Sequence, residues 1–288
     1  MFKKILVPLD GSTLSEAVFP WLNALVNKLA PEAEIVLLRA FEPPSTVYLL
    51  PELSIPTTNA LSDEYVGGLI MEYLQNRAER LEGLKVSTHM TMGDPASEIL
   101  EMAEGADLVV MASHGRGGLG RWLLGSVATK VVRGCTVPVL VIGGKALEEG
   151  APPTFSRFMV PLDGSEVAER AFSTACRLAQ GLEGALHLYA GVVQVESAHE
   201  MALKANRAGV EHFQDYLQEM AERESRLEID CTVKETHGKT GIVEFADKIG
   251  ADLIVMGSHG RTGFQRWAVG SETENTLHHA HCPVLVTH

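Results

Sequence analysis

The chain has 288 residues, 45% of them apolar and 21% charged, with a formal net charge of −13 at pH 7. That length gives room for two cores of about 140 residues each, the acidity sets the bulk surface against nucleic acid, and four scattered cysteines (Cys135, Cys176, Cys231, Cys282) with no CxxC pair argue against a disulfide framework or a zinc site. No apolar run approaches the roughly 18 residues of a membrane span, and Met1-Phe2-Lys3-Lys4 leads straight into Ile5-Leu6-Val7, so a cytoplasmic protein with no membrane partner is expected.

In chain order, Lys4 to Leu9 reads as a buried strand that ends at Asp10-Gly11-Ser12, a helix start. Thr13-x-x-Glu16 fits a capping box, and Trp21, Leu22, Leu25, Val26 and Leu29 form a helical apolar stripe. Glu34 to Phe41 is a second strand, followed by a Pro-rich excursion through Pro43, Pro44, Pro51 and Pro56 that is either a lid or a surface loop. A helix is predicted from Ser62 to Glu82, a strand from Leu84 to Thr91, a helix around Ile99 to Glu104 and a wholly apolar strand from Leu108 to Met111. A helix beginning near Ser126 and a fifth strand from Val137 to Ile142 close the unit.

The same order then returns. Strands are predicted at Phe158 to Leu162, Ala185 to Val193, Leu227 to Glu235, Leu253 to Met256 and Cys282 to Thr287, with helices from Glu166, up to about Arg226, from Ile242 and after Ser271. Val7-Pro8-Leu9-Asp10-Gly11-Ser12 recurs 153 residues later at Val160 to Ser165. Asp107 to Ser126 recurs 145 residues later as Asp252 to Ser271, identical at 13 of 20 positions. Two repeats of this length are domains rather than solenoid units. Residues 1–145 form the first domain, 146–156 a linker rich in Glu, Gly and Pro, and 157–288 the second.

Apolar strands alternating with helices imply parallel sheets covered on both faces, with right-handed crossovers: two tandem, doubly wound, five-stranded α/β units. Ligands on such sheets lie beyond the carboxyl ends of the strands where strand order reverses. Two loops stand there in each repeat: the Pro-x-Asp-Gly-Ser turn and a long glycine-punctuated segment, which in repeat two is Gly257-x-x-Gly260-x9-Gly270-Ser271. Glycines let backbone turn through positive φ and come close to a ligand, while amides at the following helix start direct positive partial charge at a phosphate. The serine adds a hydroxyl. The aspartate suits a base-edge or ribose contact, or magnesium carried by the nucleotide near Asp10 or Asp163.

On these motifs both halves resemble the universal stress protein family, whose nucleotide-binding members carry Gly-x-x-Gly-x9-Gly-Ser/Thr. The resemblance spans essentially the whole chain as a tandem form. It implies a Rossmann-like fold of the adenine nucleotide alpha hydrolase type that binds ATP, or ADP or AMP. In repeat two the implied contacts are Pro161, Asp163, Gly191, Met256, Gly257, Gly260, Gly270 and Ser271, with Thr273 a further phosphate candidate. In repeat one they are Pro8, Asp10, Ala40, Met111, Gly115, Gly125 and Ser126. Ala112 stands at the first glycine of the pattern, where a left-handed backbone would cost about 1–2 kcal/mol. Glu272, directly after Gly270-Ser271, opposes phosphate, and the glycines place repeat two slightly ahead.

The adjacent histidines His278, His279 and His281 read as a solvated helix end rather than a metal site, and His114 and His259 as loop-shaping residues. Arg116, Arg121, Arg261 and Arg266 are within reach of a triphosphate, with covering the sheet edge or pairing with acids the alternative for two of them, and Trp122 and Trp267 read as core or interface. No catalytic residue is identified: there is neither a Gly-Lys-Ser/Thr phosphate loop nor a Ser-Gly-Gly-x-Asp-Ser signature. The expected role is a stress-response regulatory module that binds nucleotide, with a nucleotide-free interaction scaffold and a slow ATP hydrolase as alternatives. The apolar fifth strands need partners, and the resemblance implies that they pair within the chain, with a further homodimer left open.

Overall fold

The computed structural model describes residues 2–42, 63–113, 124–143, 146, 153–194, 200–236, 241–259 and 270–288. Repeat one runs β1 (Lys4–Pro8), α1 (Thr13–Glu16), α2 (Phe19–Leu29), β2 (Glu34–Phe41), α3 (Asp63–Ala78), β3 (Lys85–Met92), α4 (Pro95–Ala103), β4 (Leu108–Ala112), α5 (Ser126–Gly134) and β5 (Val139–Ile142). Repeat two runs β6 (Arg157–Pro161), α6 (Glu166–Leu182), β7 (Ala185–Val193), α7 (Glu200–Glu222), β8 (Ile229–Thr236), α8 (Gly241–Ile249), β9 (Leu253–Gly257), α9 (Ser271–His279) and β10 (Val284–Thr287). The predicted Pro-rich excursion lies outside the described residues.

All ten strands join one sheet in the order β3-β2-β1-β4-β5-β10-β9-β6-β7-β8. Within each half the pairing is parallel, as the unbroken apolar runs of β4 and β9, buried along their length, require. The halves meet where β5 and β10 pair antiparallel, with Leu285 opposite Leu140. In repeat one the order turns at β1, which has β2 on one side and β4 on the other; β6 holds the same place between β7 and β9. On such sheets the ligand crevice is expected at these two reversals, beyond the carboxyl ends of the strands.

One face is covered by α2, α3, α6 and α7, the other by α4, α5, α8 and α9, with separate apolar clusters on the two sides. The first cluster is continuous across the repeats. Leu29 of α2 packs on Gly181 of α6, and Trp21 meets Phe155 edge-on at 5.6 Å between ring centroids. The strands at the outer edges, β3 and β8, carry Lys85, Asp230 and Lys234 at exposed positions, charges that discourage further pairing there.

The first helices of the two repeats differ. In repeat two α6 runs unbroken for 17 residues, whereas in repeat one α1 stops at Glu16 and α2 restarts at Phe19 with Pro20 in its first turn. Pro20 has no N–H to give and its ring crowds the carbonyl four residues back, so one helix becomes two. The predicted helix at Ile99 starts four residues earlier, at Pro95, because Asp94 caps it through the Ser97 amide (3.0 Å) and proline suits the first helical position.

Candidate functional site

The turn after the first strand of each repeat is built on one plan. The Asp10 carboxylate accepts from the Ser12 amide (2.9 Å) and hydroxyl (2.6 Å), and Asp163 accepts from the Ser165 amide at 3.0 Å. The residues between are Gly11 and Gly164, at φ +79° and +78°, a left-handed conformation that a side chain would strain. Ser12 and Ser165 then cap α1 and α6 through the amides of Ser15 (3.1 Å) and Ala168 (3.2 Å). The cap is thus Ser12, not the predicted Thr13 box. Glu16 instead meets Tyr73 (3.0 Å), Arg77 (2.7 Å) and Arg80 (3.1 Å) of the third helix region. Its counterpart Glu169 meets Tyr216 and Arg223, each at 3.4 Å. Burial, then the neighbouring carboxylate, pushes Tyr73 and Tyr216 up to about 12.

At the tip of the fourth strand the main chain closes on itself. Ser113 donates its amide to Ile142 (2.9 Å) and accepts from the Gly125 amide (2.8 Å); Ser258 donates to Thr287 (2.8 Å) and accepts from Gly270 (2.8 Å). Each glycine segment therefore leaves and returns at one point beside the crevice. Gly115 and Gly260 lie outside the described residues, as do His114, Arg116, Arg121, Trp122, Arg261, Arg266 and Trp267.

Gly125 and Gly270 are the N-caps of α5 and α9, and among the described residues neither helix has a side-chain cap hydrogen bond. The contrast with α1, α4 and α6, each closed by a Ser or Asp oxygen, is direct. A glycine cap offers the first-turn amides of α5 and α9 no side-chain acceptor of its own, the arrangement that receives an anion. Ser126 and Ser271, the first residues of these helices, are exposed, and Pro8, Asp10, Ala40, Pro161 and Asp163 are half-buried around the same edge. Gly191 is exposed at the end of β7, while Met111 and Met256 are buried with α4, α5, α8 and α9.

Three sequence expectations change. Gly125 and Gly270 have extended backbone at φ −62° and −63°, and among the described glycines of the two motifs positive φ is found in the aspartate turn. Gly257 is an ordinary strand residue, and Ala112 sits in the same strand position without backbone strain. What holds Gly257 to glycine is close approach: a Cβ there would lie 2.8 Å from Val167 Cγ1 and 3.2 Å from its backbone carbon. Finally, Thr273 is buried at 2% exposure and donates its hydroxyl to the Gly257 carbonyl at 2.9 Å. Its hydroxyl ties α9 to β9 instead of facing the helix start.

Arg39 was not singled out by the sequence. Its guanidinium lies 2.6 Å from where a Cβ at Gly11 would stand and about one ring away from Tyr73, 5.9 Å from the centroid. Since Pro8 faces Leu38 and Pro161 faces Tyr189, the register puts Ala190 at this place in repeat two. A cation near the end of the second strand was the available signal.

The model of the universal stress protein family matches residues 1–143 and again 154–288. The chain belongs to this family. Universal stress protein Rv2005c of Mycobacterium tuberculosis is 28% identical over 293 residues, covering 98% of this chain and 96% of that protein. Universal stress protein MJ0531 of Methanocaldococcus jannaschii is 35% identical over 151 residues, covering 49% of this chain and 82% of that protein. A crystal structure of a universal stress protein from Archaeoglobus fulgidus superposes with a TM-score of 0.69 at 23% identity, covering 99% of this chain and 95% of the other. Two matches to the family model in one chain make this a tandem universal stress protein.

Proposed function

We propose that this tandem universal stress protein binds an adenine nucleotide, ATP foremost, in the crevice of each repeat and acts as a regulatory module of the stress response rather than as a metabolic enzyme. The observation that carries the reading is the pair of helix starts at Gly125-Ser126 and Gly270-Ser271, which lack side-chain caps although other helices at the same sheet edge have them. Amides left without a side-chain acceptor at a strand-order reversal favour a polyphosphate, even on a molecule of net charge −13. Ser126 and Ser271 add hydroxyls. Pro8, Asp10 and Ala40 in repeat one, and Pro161, Asp163 and Gly191 in repeat two, take the base and ribose. Magnesium carried by the phosphates would meet Asp10 or Asp163, each of which already has one carboxylate oxygen held by its turn.

Repeat one becomes the stronger phosphate site, the reverse of the ranking by glycines. Ala112 costs no backbone strain there, and α5 has no acid in its first turn, whereas α9 carries Glu272 and Glu274. Carboxylates one turn from the amides offset their field.

The test is mass spectrometry of extracts of the purified protein together with thermal melting under ATP and magnesium. A co-purified adenine nucleotide, or a melting shift that grows with ATP concentration, is expected. No ligand and no shift at millimolar ATP would leave the scaffold reading, and steady turnover above buffer background the hydrolase.

A further inference from the structure

One contact ties a cleft of one repeat to a helix of the other. The amide of Leu124, immediately before Gly125-Ser126, donates to Nδ1 of His278 at 3.1 Å across 154 residues of sequence. His278 is the eighth residue of α9, whose first residue is Ser271. The eighth residue of α5 is Arg133, which reaches back to Glu274 of α9 at 3.5 Å. Two side chains, one from each helix, therefore tie α9 to α5 and to the segment entering it, across the β5–β10 junction.

We infer that His278 is a positioning residue for the phosphate end of repeat one: repeat two holds the segment entering α5, and so fixes Gly125 and Ser126, through this imidazole. The inference rests on the nucleotide reading above. Gly125 is itself tied to Ser113 on the other side, so the peptide between Leu124 and Ser126 is held at two points, one from each repeat. A site whose donors are main-chain amides depends on such anchoring, because its grip is only as good as the fixed direction of those N–H groups. The accepting nitrogen is Nδ1, whose place the Oδ1 of asparagine can take, whereas alanine offers no acceptor and leaves a half-buried amide without its partner.

The full-length chain is compared as wild type, His278→Ala and His278→Asn. Hydrogen exchange without nucleotide reads the amides of residues 124–126, and azido-ATP photolabelling with peptide mapping reads occupancy of each repeat. In His278→Ala these amides exchange faster and labelling of repeat one weakens about tenfold, with repeat two little changed; His278→Asn restores both. Wild-type exchange and labelling in His278→Ala would overturn the role of His278 alone. So would an equal loss in both repeats with a lowered melting point, which marks general destabilisation, or a failure of asparagine to restore the site. Wild-type protein that takes no label in either repeat would overturn the nucleotide reading itself.

Discussion

Gly257 and Ala112 occupy one strand position in two environments, and the difference is measurable. Glycine at 257 is required by the first turn of α6, where Val167 and the Ala168 amide crowd the site. Gly257→Ala should therefore destabilise by about 1–3 kcal/mol, the range of an overpacked core, while Ala112→Gly should cost under about 1 kcal/mol; urea unfolding of both checks this. Equal effects would mean that the α6 contact is not what selects glycine. The tyrosines give a second handle. Tyr73, Tyr189 and Tyr216 are each raised to about 12, chiefly by burial. A folded-state value above the unfolded one near 10 means that the unfolded chain loses these protons first, so stability is intact below pH 10 and falls between pH 10 and 12. Ultraviolet titration should show three tyrosines ionising late; three ordinary titrations would contradict their burial.

Most elements were legible because both periodicities are strong: β4 and β9 are apolar throughout, and the repeat itself doubles every signal. The places where the reading slipped are local contests. The capping box at Thr13 failed because Ser12, held by Asp10, already supplies the cap, and Glu16 is drawn away by two arginines and a tyrosine distant in sequence. No window of local sequence contains those partners. Thr273 looked like a phosphate donor by adjacency to Gly270-Ser271, but at the third helical position its hydroxyl turns back to the Gly257 carbonyl. At the element scale the decisive feature is β10, which lies between β9 and β5. Deleting residues 282–288 would strip the buried edges of Leu253–Gly257 and Val139–Ile142 together. Such a truncation should partition to the insoluble fraction, and a fully soluble, monodisperse product would contradict the shared sheet.

Across the whole molecule, tandem fusion turns a pair of domains into one ten-stranded sheet with two crevices. The two repeats differ in their electrostatics. Repeat one has Arg39 over its aspartate turn and no acid in the first turn of α5; repeat two has Ala190 at that register and two glutamates opening α9. The clefts should consequently differ in affinity, with repeat one the tighter for polyphosphate. The most direct measurement is a crystal structure of the chain grown with millimolar ATP and magnesium. The account predicts phosphates against the first-turn amides of α5, from Ser126 on, at full occupancy, with those of α9, from Ser271 on, filled to the same or a lower degree. A crevice closed by the chain's own side chains, or nucleotide seated away from both helix starts, would contradict it.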